Sequence, residues 1–198
     1  QGGHAGVIEM RMGEDDRVDC LRVERQERYA RFDFLLVLAL ALAARGRLAV
    51  FLAGAVLAQG KSHIDNTVFV THGGVDCESR QVFKKVLRNG ATGVFQGKIL
   101  VQPGAQKTDG YQISQSLLLD DDSQFLAKPE LEIYADDVAC SHGSTSGAID
   151  EEGLFYLRAR GVPEEIATDL LTIAFLAEAV DEVEDEGLRN DIISRLEG

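Results

Sequence analysis

The sequence predicts a mainly β protein, a parallel β-helix followed by a C-terminal α-helical domain. Three observations carry this. Between residues 59 and 142, short β-rich runs alternate with Gly, Asn, Asp and Pro breakers, and no helical period of useful length lies between them. Polar residues such as Asn66, Gln96 and Gln115 sit inside or beside those runs. From residue 150 onward the punctuation becomes that of helices.

The elements follow in order. Residues 1–31 are polar and charged, with strand-like pieces such as Arg17–Val23. The chain opens on Gln1 rather than Met, which reads as a processed or partial chain, and Gln1–Met10 lacks the pattern of a secretory signal. Residues 32–58 hold two apolar runs of about 11 residues, Phe34–Ala44 and Leu48–Ala58, split by Arg45 and Arg47. A membrane helix needs roughly 20 uninterrupted apolar residues, so a buried structural segment is expected, with a membrane hairpin as the weaker alternative. The clearest strand runs are Thr67–Thr71, Gln81–Leu87, Gly93–Gln102, Gln112–Leu119 and Leu131–Cys140. Their starts lie about 12–20 residues apart, a spacing that a meander, a sandwich or a solenoid satisfies. Asn89-Gly90 and Asp109-Gly110 are the two-residue hairpin candidates. Stacked rungs tolerate irregular corners and polar strand positions, which ranks the β-helix above the sandwich.

In the C-terminal part, Asp150 is a suitable N-cap with Glu151 and Glu152 in the first turn, and Gly161 suits the position past the helix end. Pro163 opens a second helix, in which Ile166, Leu170, Ile173 and Ala177 form an apolar stripe broadened by Leu171, Phe175 and Leu176. A last helix is expected over Glu186–Leu196. The boundary between the β-helix (1–148) and the helical domain (149–198) falls between these patterns.

Composition narrows the function. The 198 residues carry a net charge of −13, which disfavours nucleic-acid backbones. From Asp150 to Gly198 there are 14 acids and 4 bases, a net of −10: a solvated helical face or a docking surface for a basic partner. Three scattered cysteines, Cys20, Cys77 and Cys140, suit a reducing cytoplasm rather than a disulfide scaffold. Walker A, GxGxxG and GxSxG patterns are absent from the sequence, so ATP chemistry would sit on a partner. The acidic runs Asp120–Asp122 and Asp136–Asp137 lack EF-hand spacing and read as turns.

The most suggestive chemistry is Cys140-Ser-His142. On a strand, residues two apart point to one face, about 6–7 Å from each other. Thiolate sulfur and imidazole nitrogen ligate iron or zinc, and the same pair could act as nucleophile and base. The plain alternative is a buried Cys and a hydrogen-bonded His. Two ligands leave a tetrahedral site incomplete, so a metal would need donors from elsewhere, such as another chain. His63, His72 and Cys77 match no compact zinc signature and read as ordinary turn residues.

Longer patterns identify a family. Gly93–Val101, Gly104–Asp109, Gln112 with Leu117–Leu119, Lys128–Ile133, Ala135–Gly143 and Asp150–Gly161 resemble, in order, the SufB/SufD family of iron–sulfur cluster assembly proteins. The resemblance covers about residues 60–197, and Cys140-Ser-His-Gly followed by Asp-Glu-Glu and Leu-Phe-Tyr places it on the SufD branch, in its C-terminal half. It implies a right-handed parallel β-helix with a helical C-terminal domain. It further implies a non-enzymatic cytoplasmic scaffold of a SufBCD complex. Such a scaffold pairs with SufB through the β-helix and docks the SufC ATPase through helices at about Pro163–Val183, without nucleic acid or membrane. An iron–sulfur cluster is then built transiently at the SufB interface, with His142 as the acting residue, a metal ligand, and Cys140 as its neighbour. Residues 32–58 depart from the family pattern as if rungs were deleted, and a full member is about twice this long. Such a β-helix would expose an apolar end. The competing readings are a Cys140/His142-dependent enzyme on a β-solenoid and a carbohydrate-active solenoid. The latter would want an aromatic ladder, and the chain has no Trp and four Tyr.

Overall fold

The structure, a computed structural model, describes residues 4–12, 18–25, 32–44, 47–181, 183 and 185–196, with side chains from residue 49 to residue 194. The chain runs through β1 (His4–Met12), β2 (Val18–Arg25), β3 (Phe32–Ala44), β4 (Arg47–Gln59), β5 (His63–His72) and β6 (Glu78–Arg88). It continues through β7 (Thr92–Val101), β8 (Asp109–Leu118), β9 (Gln124–Ile133) and β10 (Ala139–Gly147). Helices α1 (Glu151–Ala159), α2 (Glu164–Ala177) and α3 (Glu186–Leu196) close it, with a 3-10 turn over Glu178–Val180 after α2.

Successive strands from β4 to β10 alternate between two sheets, ordered β2-β1-β5-β7-β9 and β10-β8-β6-β4-β3. Within each sheet, β5, β7 and β9, and β4, β6, β8 and β10, pair in parallel. This is a β-solenoid, as the sequence predicts, with rungs β5–β6, β7–β8 and β9–β10. In-register partners such as His63, Thr92 and Gln124, or Glu78, Asp109 and Ala139, lie 29, 32, 31 and 30 residues apart. The corners repeat as well: Asp76 and Lys107 both have φ 60°, and Gly60 and Gly90 have φ 65° and 81°. At these four corners a left-handed residue turns the chain into the opposite sheet. Asn89-Gly90 is therefore a corner between sheets rather than a hairpin, and Asp109-Gly110 begins β8.

Alternation along β5 and β7 sends Ile64, Val68, Val70, Phe95, Ile99 and Val101 into the coil, each 2% exposed or less. The apolar segment 32–58 forms β3 and β4, paired antiparallel, with β4 joined in parallel to β6. Leu52, Ala53, Ala55 and Ala58 are fully buried, so β4 is the buried structural segment that its composition suggests. Among the described residues no helix is long and apolar enough to cross a membrane.

Two expectations need correction. A single strand over Leu131–Cys140 is in fact β9 ending at Ile133 and β10 starting at Ala139, with Asp136 and Asp137 in the corner between them. β9 begins earlier, at Gln124, and carries Pro129 mid-strand; an edge strand tolerates the missing N–H. The stripe Ile166–Leu170–Ile173–Ala177 does not face the core throughout. α2 buries Ala167, Thr172 and Leu176, leaving Ile166 and Leu170 about half exposed. Leu176 and Ala179 pack with Phe175 on Ala55, Val82, Val86 and Leu117 of the outer face of the second sheet. Val180, Val183 and Ile192 pack on Ala53 beside them. Lys84, nearly buried on β6, pairs with Glu178 and lies 4.3 Å from the Phe175 ring centre, fastening the helices to the solenoid.

Candidate functional site

The β9–β10 rung ends the solenoid. Among the described residues, β9 pairs only with β7 and β10 only with β8, so each has one strand edge without a ladder partner. Leu126, Ile133 and Tyr134 of this rung are exposed large apolar groups.

Cys140 and His142 lie on β10, two residues apart and in register with Gly110 and Gln112. Gly110 and Gln112 are inward, buried positions, so the phase of β10 directs Cys140 and His142 toward the coil interior. With no further rung above, that interior is open: His142 is exposed and Cys140 half-buried. A Cβ on Gly110 would lie 3.2 Å from Cys140 Sγ, so the glycine makes the seat of the thiol. Burial pushes the Cys140 thiol up, the Gly110 backbone amide works against this and the Asp109 charge adds to it. A thiol whose pKa is raised by burial is the reverse of an activated nucleophile. The two side chains instead present one soft sulfur and one imidazole donor at the open end of the coil, a set suited to iron. Among the described residues no three His, Cys, Asp or Glu side chains group together as a metal site. Cys140 and His142 thus offer at most half of a tetrahedral set.

The second sequence cluster does not assemble. His63 and His72 stand at opposite ends of β5, roughly 30 Å apart at about 3.3 Å per residue. His72 is not a turn residue but fully buried, with Nε2 2.9 Å from Ser79 Oγ, and burial pushes its pKa down to about 4. Cys77 is buried beside the corner before β6. Asp120 is a turn residue as expected: its carboxylate accepts from the amides of Asn89 and Gly90 and, at 2.9 Å, of Ser123. Those amides outweigh the opposing effect of partial burial and hold the Asp120 carboxyl low.

Sequence reasoning missed the column beneath the site. Gln81, Gln112 and His142 are register partners in three successive rungs, and Gln112 Nε2 donates to Gln81 Oε1 at 2.8 Å. The signal that would have found it is the 29–32-residue repeat, which strand-by-strand reading does not expose.

The fold and this rung define a β-solenoid with an incomplete thiol–imidazole ligand set on its open end. The chain belongs to the SufBD core family, described as "SUF system FeS cluster assembly, SufBD core domain", whose profile matches residues 4–175. It is 41% identical over 132 residues to the iron-sulfur cluster assembly protein SufD of Escherichia coli (strain K12), covering 67% of this chain and 31% of that protein. It is 32% identical over 142 residues to SufD of Bacillus subtilis (strain 168), covering 72% and 32%. A SufBD family protein of Mycobacterium leprae (strain TN) is 32% identical over 154 residues, covering 74% and 39%. The match thus spans about a third of the length of these curated relatives. Membership of the SufBD family and likeness to SufD, as the sequence motifs imply, are borne out.

Proposed function

We propose that this chain is a non-catalytic, cytoplasmic scaffold subunit of a SufBCD assembly. Its solenoid, residues 1–148, pairs with SufB through the open β9–β10 rung. Its helical part, 149–198, docks the SufC ATPase at Pro163–Val183. The cargo is a nascent iron–sulfur cluster, held transiently at the SufB interface. His142 is its metal ligand on this side and Cys140 stands beside it.

The observation that carries the reading is the position of Cys140 and His142 on a rung with unpaired edges, facing a space this chain leaves open. A second chain stacked there would supply the missing donors and cover Leu126, Ile133 and Tyr134. For the SufC contact, support comes from the unburied apolar side of α1 and α2, where Phe155, Tyr156, Ile166 and Leu170 are 75%, 57%, 53% and 49% exposed. The segment 150–198 is acidic overall, which suits a basic partner face, although Arg160 lies 4.9 Å from the Tyr156 ring centre.

The test is co-purification with SufB and SufC, then anaerobic reconstitution with iron and sulfide analysis. The expected result is a three-component complex that loses its iron and sulfide when His142→Ala is introduced, with the contacts to SufB and SufC intact. Normal cluster content in that variant would refute the assignment of His142.

A further inference from the structure

The corner between β6 and β7 carries a chemistry that Cys140 and His142 do not share. Of the three asparagines in the chain, Asn66, Asn89 and Asn190, Asn89 alone is followed by glycine. In an Asn-Gly pair the backbone nitrogen of the glycine attacks the side-chain carboxamide carbon of the asparagine. The N–Cγ bond forms, the Cγ–Nδ2 bond breaks, and ammonia leaves with the proton that the backbone nitrogen gives up. Water then opens the cyclic imide at either carbonyl, leaving aspartate or isoaspartate. Glycine favours the reaction because it carries no side chain to hinder its nitrogen, and asparagine is a thermally labile residue. Asn89 is exposed at the surface.

The nitrogen that must attack is already engaged. The Gly90 amide donates to Asp120 Oδ1 at 3.4 Å and to Ser123 Oγ at 3.2 Å, and the Asn89 amide donates to Asp120 Oδ2. Asp120 and Ser123 belong to the equivalent corner one rung further on. Backbone bonds stack the two corners on either side: the Leu119 amide donates to the Leu87 carbonyl at 3.0 Å, and the Gln124 amide to the Ala91 carbonyl at 2.9 Å. Asp122 stands over the same spot, with its Cβ 3.9 Å from the place a Cβ on Gly90 would occupy.

This clasp opposes each requirement of the reaction. The attacking nitrogen has to shed its proton, and a carboxylate beside it disfavours the anion so formed. Asp120 is also a poor base for taking that proton. Against the opposing effect of burial, hydrogen bonds from the Asn89 amide, the Ser123 hydroxyl and the Gly90 and Ser123 amides hold its carboxyl low. Ring closure further needs rotation of the Asn89 backbone, which the bonds at residues 87, 89, 90 and 91 restrain. We propose that Asn89-Gly90 is the deamidation site of this chain and that Asp120, with Ser123, is its lock, closed while the two corners are stacked. Conversion on opening is one-way. Either product puts a negative charge beside Asp120, and isoaspartate adds a methylene to the main chain, so the clasp does not re-form. The proposal is independent of which partners the chain binds.

The experiment incubates the whole chain in mildly alkaline buffer beside a synthetic peptide of residues 86–93, and follows conversion of Asn89 by mass-spectrometric peptide mapping. A neighbouring charge moves an ionisation of this kind by about tenfold or more, so the native chain should convert at least about tenfold more slowly than the peptide. Asp120→Asn keeps the size of the side chain and an acceptor oxygen but removes the charge, and circular dichroism verifies that the strands remain. It should raise the conversion rate of Asn89 severalfold, and Asp120→Ala should raise it further. A native chain that converts as fast as the peptide overturns the lock, as does a folded Asp120→Asn chain that converts no faster than the native one.

Discussion

Replacing Lys85 by Met should change the pH dependence of stability more than any other single substitution in the solenoid. Lys85 crosses the coil opposite Gly93, where a Cβ would meet its Cδ at 3.1 Å, and its Nζ lies 5.4 and 5.8 Å from the ring centres of Phe95 and Phe125. Burial pushes its pKa from 10.5 down to about 7, with the Asp65 charge pulling the other way. The unfolded chain titrates this lysine at its ordinary value, so between about pH 7 and 10.5 the unfolded state binds the extra proton. Stability therefore rises with pH across that window, is fully present above it, and falls no further below about pH 7 on account of Lys85. At about 1.36 kcal/mol per pH unit the whole window is worth about 5 kcal/mol. The assay is urea unfolding of the wild type and of Lys85→Met at pH 6.5, 8.5 and 10.5, comparing the difference at each pH. Other groups cancel in that difference. The variant should be the more stable by several kcal/mol at the lowest pH, with the advantage vanishing toward the highest. A difference that is the same at all three pH values would show that Lys85 does not titrate on unfolding, and the reasoning would fail.

Three further outcomes follow from the packing. Gly97→Ala should cost about 2–3 kcal/mol in chemical unfolding, because the new Cβ displaces the Gln112 amide from Gln81; adding Gln112→Ala should recover part of the loss, and additive costs would contradict the contact. Cys140 should alkylate with an apparent pKa above that of an ordinary thiol, as burial dictates, and a depressed value would revive the nucleophile reading. Ile166→Ser with Leu170→Ser should leave the melting temperature of the isolated chain within about 2 °C while abolishing SufC capture; retained capture would remove that surface from the docking site.

Much of the fold was legible in order. The β runs carry their own alternation: the run Gly93–Gln102 lies within one residue of β7, because inward Phe95, Ile99 and Val101 interleave with Gln96, Lys98 and Leu100. The helices announced their own ends. Asp150 does accept from the Glu152 amide, at 3.1 Å, and Gly161 takes φ 88° past the end of α1. Cys140 and His142 were legible as a pair because strand spacing alone puts both on one face.

What the chain could not say by itself concerns neighbours distant in sequence. Two-residue alternation is the same for a sandwich, a meander and a solenoid, so the choice among them depends on the register of strands 29–32 residues apart. The α2 helix is apolar on more than one side, and only the sheet beneath it decided that Ala167 and Leu176 are buried while Ile166 and Leu170 are left for another surface. The stacking of rungs alone placed Gln81 and Gln112 beneath His142 and sealed Lys85 between two phenylalanine rings. Hydrophobic periodicity is a local property and is written into consecutive residues. The chemistry of an interior is set by which side chains meet across a closed coil, and that is determined when the coil closes.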